Sequence, residues 1–140
     1  MLKNIPTIKN ISGFNYTREI LDDNCQIGLL AWLGFRPFDE NELELLMDQF
    51  SASEINNGLL NLRRANIVES HKNKSNRWFL TRVGQNLRSI LINTAIWGRG
   101  QIDNQNGNNG EKEIIQPDQE ASLGELLRFR DQVGRMYFKC

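Results

Sequence analysis

The chain has 140 residues, 39% of them hydrophobic and 24% charged, with 17 basic and 17 acidic side chains and zero net charge. That length fits one domain plus a tail, large enough to bury a core without disulfide or metal staples. One histidine (His71) and two distant cysteines (Cys25 and Cys140) leave too few ligands for a tetrahedral zinc site, so no metal or other cofactor is expected.

Charge is segregated along the chain. Residues 18–54 hold nine acids against Arg18 and Arg36, whereas residues 63–99 hold eight bases against Glu69 alone. One face can therefore attract phosphates while another repels them. The longest nearly uncharged apolar run, Ile27 to Phe35, is far short of the about 20 residues that cross a bilayer. No secretory apolar stretch opens the sequence, and unpaired cysteines suit a reducing setting, so the expected location is cytoplasmic.

Residues 1–17 read as an irregular arm. Thr17 is the expected N-cap of a first helix over about 18–34, whose apolar positions Leu21, Cys25, Gly28, Leu29 and Trp32 recur at three- and four-residue spacing. Cys25 and Trp32 read as core residues. Gly34 and Pro37 end the helix. Asp39 and Glu42 have the capping-box spacing and open a second helix with Leu43, Leu46 and Met47 inward. Its outer face is acidic: Glu40, Asn41, Glu44 and Asp48. Phe50-Ser51 is a tight turn, and Ser51 with Glu54 forms a second capping box. The third helix, 52–65, points Ile55, Leu59 and Leu62 inward. Ser53, Asn56, Asn57, Asn61 and Arg64 are expected outward, and Gly58 marks a close approach to a neighbouring helix.

Ile67 to His71 reads as a short strand, residues 72–76 as a polar turn and Arg77 to Leu80 as the returning strand, a β-hairpin with a basic tip. Trp78 is expected in the core and His71 is a plain strand residue. Thr81 caps a fourth helix over 82–97, with Val83, Leu87, Ile90, Leu91, Thr94 and Trp97 on one stripe and Gly98 and Gly100 as its stop. Residues 99–120 are Gly/Asn/Gln-rich at their centre and read as a flexible linker. A last helix is expected within 121–137, placing Leu123, Leu126, Leu127, Val133 and Tyr137 on one face with Arg130 among them.

The order helix, helix, tight turn, helix, hairpin, helix is that of a winged helix-turn-helix domain, here over 18–98, so the expected class is mainly α with a small β-hairpin. Leu59-Leu60-Asn61-Leu62-Arg63-Arg64-Ala65-Asn66-Ile67-Val68 resembles the LxxLxxxGLV ending of the recognition helix in MarR- and HxlR-type regulators. Asn66 stands near the usual glycine, in a position that needs the left-handed conformation. Trp78-Phe79-Leu80-Thr81-Arg82-Val83-Gly84-Gln85-Asn86-Leu87 resembles the YxLTxxGxxL run that leaves the wing in the same families.

The resemblance implies double-stranded DNA as partner, a regulator of transcription and a homodimer. Recognition helix 52–65 would enter the major groove, and wing 68–80 would lie on the backbone or minor groove. The DNA-binding candidates are Ser51, Ser53, Asn56 and Asn57 at the helix start, Arg63 and Arg64 at its end, and Lys72, Lys74 and Arg77 on the wing. The bland readings are solvated asparagines, lysines that keep a hairpin soluble, and arginines that complement a helix dipole. The dimer candidates are Leu87, Ile90, Leu91 and Trp97 with Leu123, Leu126, Leu127 and Val133, although the last helix can equally dock within its own chain. No phosphate loop, zincin motif or serine elbow is present, and an enzyme is not expected. The competing function is a protein-interaction module acting through the acidic helix 40–49.

Overall fold

Alternating caps and apolar stripes cut the chain into helices. The computed structural model describes residues 12–71, 76–105 and 119–134. Within them the protein is mainly helical with one small two-stranded antiparallel hairpin. In chain order the elements are α1 (Gly13–Leu21), α2 (Asn24–Leu33), α3 (Glu40–Leu46), α4 (Ala52–Arg64), β1 (Val68–Ser70), β2 (Trp78–Leu80), α5 (Arg82–Gln105) and α6 (Leu123–Phe129), the last running into a π-helical turn over Arg130–Gly134.

The expected helix over 18–34 is in fact two, and the first begins inside the expected arm. Ser12, not Thr17, caps α1 by accepting from the Asn15 amide. Asp23 is extended, and its carboxylate accepts from the Gln26 amide to start α2. A short carboxylate bonding its own downstream backbone is what breaks a helix and restarts it. The helix α2 is buried almost all round and forms the centre of the core, packed by α4, α5 and α1. Cys25 and Trp32 are buried in it as expected.

Both capping boxes form. Asp39 and Glu42 bond each other's backbone amides at the start of α3, and Ser51 and Glu54 do so at the start of α4. Leu43, Leu46, Met47, Ile55, Leu59 and Leu62 are all fully buried. A Cβ on Gly58 would lie 2.9 Å from Leu29 Cδ1 and 3.5 Å from Cys25 Sγ, so the missing side chain is what lets α4 close on α2. Asn66 holds φ 60°, the left-handed turn expected between α4 and β1. The hairpin register pairs Val68 with Leu80, Glu69 with Phe79 and Ser70 with Trp78. Phe38, just ahead of α3, bridges Trp78 through two backbone hydrogen bonds of 3.1 and 2.8 Å, tying the hairpin to the start of α3.

Thr81 caps α5, its Oγ1 accepting from the Gly84 amide at 3.1 Å. The helix does not stop at Gly98 and Gly100. Gly98 lacks the left-handed backbone of a helix stop, and Arg99 binds Asp103 one turn on at 2.8 Å. Two interior glycines cost about 1 kcal/mol each, which weakens a helix without ending it. Residues 99–105 of the expected linker are therefore helical, and 106–118 lie outside the described residues.

The end of the described chain docks on its own domain. Leu126 is fully buried, and Phe129 meets Trp32 and Phe35 edge-on at centroid distances of 6.3 and 5.7 Å. Arg130, 9% exposed, donates to the Leu45 carbonyl at 2.7 Å and lies 3.6 Å from Asp48. Arg36 donates to the Gln119 carbonyl at 3.0 Å and to that of Ala121. Guanidinium groups thus hold the segment from both ends, where backbone carbonyls need donors. No helix among the described residues is long and apolar enough to cross a membrane.

Candidate nucleic-acid interface

The outer face of α4 is positioned from beneath. Ile55, Leu59 and Leu62 anchor it to the core. Asn61, expected outward, is a correction: it is 2% exposed. Its Nδ2 donates to Gln26 Oε1 at 3.3 Å, and Gln26 Nε2 donates in turn to the Ile20 carbonyl at 2.9 Å. Arg64 donates to Asn61 Oδ1 at 3.2 Å. This polar chain links α4, α2 and α1 and fixes how α4 is rotated about its axis.

That rotation leaves Ser51, Ser53, Arg63 and Arg64 exposed and Asn56 and Asn57 half-exposed. Ser51 Oγ already accepts from the Glu54 amide at 3.1 Å, which leaves its hydroxyl proton free to donate. Arg77 is exposed at the turn end of the hairpin, where its carbonyl accepts from the His71 amide at 2.9 Å. Lys72 and Lys74 lie outside the described residues. Helix and hairpin meet directly: the Arg63 guanidinium stands 5.6 Å from the centroid of the Trp78 ring, a cation–π contact. Trp78 itself is buried, as expected. The described C-terminal segment packs on α2 and α3.

The acidic outer face expected for the helix at 40–49 reaches the candidate site through Glu40. Glu40 Oε1 accepts from Asn56 Nδ2 at 3.2 Å, a link across 16 positions that helical periodicity cannot reveal. Asp39 and Glu42 are engaged in their capping box, and Asp48 faces Arg130. An open cleft of about 520 Å³ separates the start of α3 from the hairpin, lined by Asp39, Glu40, Asn41, Ser70, His71, Asn76 and Trp78. His71 stacks on Phe79, with ring centroids 4.3 Å apart, and so serves the hairpin face. No group of three or more metal-ligating side chains occurs among the described residues.

The expected dimer residues divide sharply. Leu126 and Leu91 are buried within the chain, Leu87, Leu123 and Leu127 pack partly against its core, and Val133 is half-buried. Ile90 and Trp97 are exposed by 54% and 62%. Val83 is exposed as well, and so is Phe14, which periodicity does not pick out. Comparison with protein-family models, curated proteins and solved structures finds no match to this chain.

Proposed function

We propose that the chain is a winged-helix protein that binds double-stranded DNA and regulates transcription, with α4 in the major groove and the hairpin as its wing. The observation that carries the reading is the Arg63–Trp78 contact: it sets the C-terminal end of α4 against the hairpin, which supports the two meeting one duplex together. Both carry exposed side chains among the described residues. The order of elements and the LTxxG run at Leu80 to Gly84 agree with it.

The division of labour follows from chemistry. Arg63, Arg64 and Arg77, with Lys72 and Lys74, neutralise phosphates and set affinity. Asn56 and Asn57 read bases. An amide offers two N–H donors and a carbonyl. Glu40 takes one donor of Asn56 and leaves Oδ1 with the second N–H for the N6/N7 edge of adenine. Glu40 and Glu54 also oppose phosphates nearby, which keeps nonspecific affinity modest.

The test is duplex binding across a salt series. Five phosphate contacts give a log–log slope of about −4 to −5 per domain, from ~0.9 per contact. Replacing Lys72 and Lys74 by alanine should flatten it by about 2 and weaken all sequences alike. Replacing Asn56 and Asn57 by alanine should change the preference among sequences by about 1–3 kcal/mol. No binding of any duplex at micromolar protein and low salt would overturn the reading. The acidic cleft beside α3 favours the second reading in that event: a protein-interaction module that uses residues 40–49 against a basic partner.

A further inference from the structure

We propose that His71 is a further contact between the wing and the duplex, made only when its imidazole carries a proton, so that DNA affinity falls as pH rises. The inference rests on the DNA reading above and adds to it one residue and one condition. His71 is the only histidine of the chain, and imidazole is the side chain that gains its charge between about pH 8 and 5. It follows directly on β1, at the turn end of the hairpin, where its amide donates to the Arg77 carbonyl at 2.9 Å. The residue is exposed, so a phosphate can reach it.

The ring is held in place but its nitrogens are not used. It stacks on Phe79 across the hairpin, with centroids 4.3 Å apart and planes 26° from parallel. Among the described residues neither ring nitrogen has a hydrogen-bond partner. Stacking removes rotamer freedom in advance, so a contact from this ring costs less ordering entropy than one from a free lysine. Neutral imidazole offers one donor and one acceptor, and the acceptor is of no use to an anion. Protonated imidazole offers two donors and a positive charge, the chemistry of a charge-assisted bond to a phosphate oxygen.

The charged groups around His71 leave the proton for an outside partner. Asp39 and Glu40 line the cleft with it from α3. Arg77 stands on the returning side of the hairpin, Glu69 two positions before it, and Lys72 next in sequence. Each carboxylate is already engaged. Asp39 accepts from the Glu42 amide at 2.8 Å, Glu40 from Asn56 at 3.2 Å and Glu69 from the Ser70 amide at 3.3 Å. None of them is bonded to the imidazole. A phosphate that meets the protonated ring therefore adds one contact to the wing. One contact steepens the log–log salt slope by about 0.9, which at about 0.1 M salt amounts to roughly eightfold in affinity.

Duplex binding by the full chain, measured across a salt series at about pH 8.5 and again at about pH 5.5, brackets the imidazole and decides the matter. The wild-type slope should steepen by about 0.9 at the lower pH, with roughly eightfold tighter binding at about 0.1 M salt. His71→Phe keeps an aromatic ring against Phe79 and removes the titration; it should show the shallower slope at both pH values. His71→Lys carries its charge throughout and should show the steeper slope at both. A wild type that binds duplex with one slope at both pH values overturns the inference and leaves the DNA reading standing. So does a His71→Phe chain that keeps the full change with pH, or a His71→Lys chain that still steepens, because the titrating group then lies elsewhere. A wild type that binds no duplex at either pH overturns both.

Discussion

Replacing Gly84 by alanine should destabilise the fold by about 2–4 kcal/mol, against the direction of helix propensity. Gly84 lies in the first turn of α5, where alanine gains at most about 1 kcal/mol over glycine. A Cβ there would stand 2.2 Å from the Ile67 carbonyl oxygen and 3.2 Å from its carbon. That oxygen cannot yield cheaply. It accepts from the Thr81 amide at 3.0 Å, and the Ile67 amide is itself held by the Leu62 carbonyl at 2.9 Å, while the single proton of the Thr81 hydroxyl goes to the neighbouring Asn66 carbonyl at 2.6 Å. Moving it strains two hydrogen bonds, each worth about 1 kcal/mol net, and the overpacked contact costs about 1–3 kcal/mol more. At roughly 3 °C per kcal/mol for a chain of this length, the melting midpoint should fall by about 6–12 °C. At Gly98, in the same helix, an added Cβ would meet nothing within 4 Å. Gly98→Ala should therefore raise the midpoint by about 3 °C, from about 1 kcal/mol of propensity. Thermal unfolding followed by circular dichroism compares the two. A Gly84→Ala chain that melts at or above the wild type refutes the argument that α5 rests on the Ile67 carbonyl.

Two further substitutions probe the supports of the candidate face. Asn61→Ala leaves Gln26 Oε1 without the donor it has at 3.3 Å; denaturant unfolding should show a loss of about 1–3 kcal/mol, the cost of an unsatisfied buried acceptor, and a loss below half a kcal/mol would mean that water takes Asn61's place. Arg130→Ala removes the donor from the Leu45 carbonyl, and a hydrogen bond to a charged group is worth about 1.5–3 kcal/mol. Amide hydrogen exchange within α6 should quicken while α2 and α4 keep their protection; unchanged exchange at Leu126 and Phe129 would show that apolar packing alone holds the segment.

Local chemistry was readable in the sequence wherever the deciding partners lie within a few residues. Both capping boxes, the inward stripes of α3 and α4, the cap at Thr81 and the left-handed Asn66 all follow from residue type and three- or four-residue spacing, because backbone sterics and helix geometry fix them. Gly58 was legible too, since a glycine inside a helix pattern costs propensity and points to close packing.

The tertiary structure decided what depends on distant partners. Asn61 is polar and sits beside outward positions, yet it faces inward because Gln26, 35 positions away, supplies its hydrogen bond. Glu40 orients Asn56 across 16 positions, so an acidic helix face became part of the candidate site. Whether the last helix joins two chains or folds back on one was undetermined by its apolar pattern, which suits either surface. Arg36 and Arg130 resolve it by reaching backbone carbonyls 83 to 85 positions away. Periodicity tells that a face is apolar; only the assembled core tells which apolar faces remain uncovered. That is why Leu126 is buried while Ile90 and Trp97 are open.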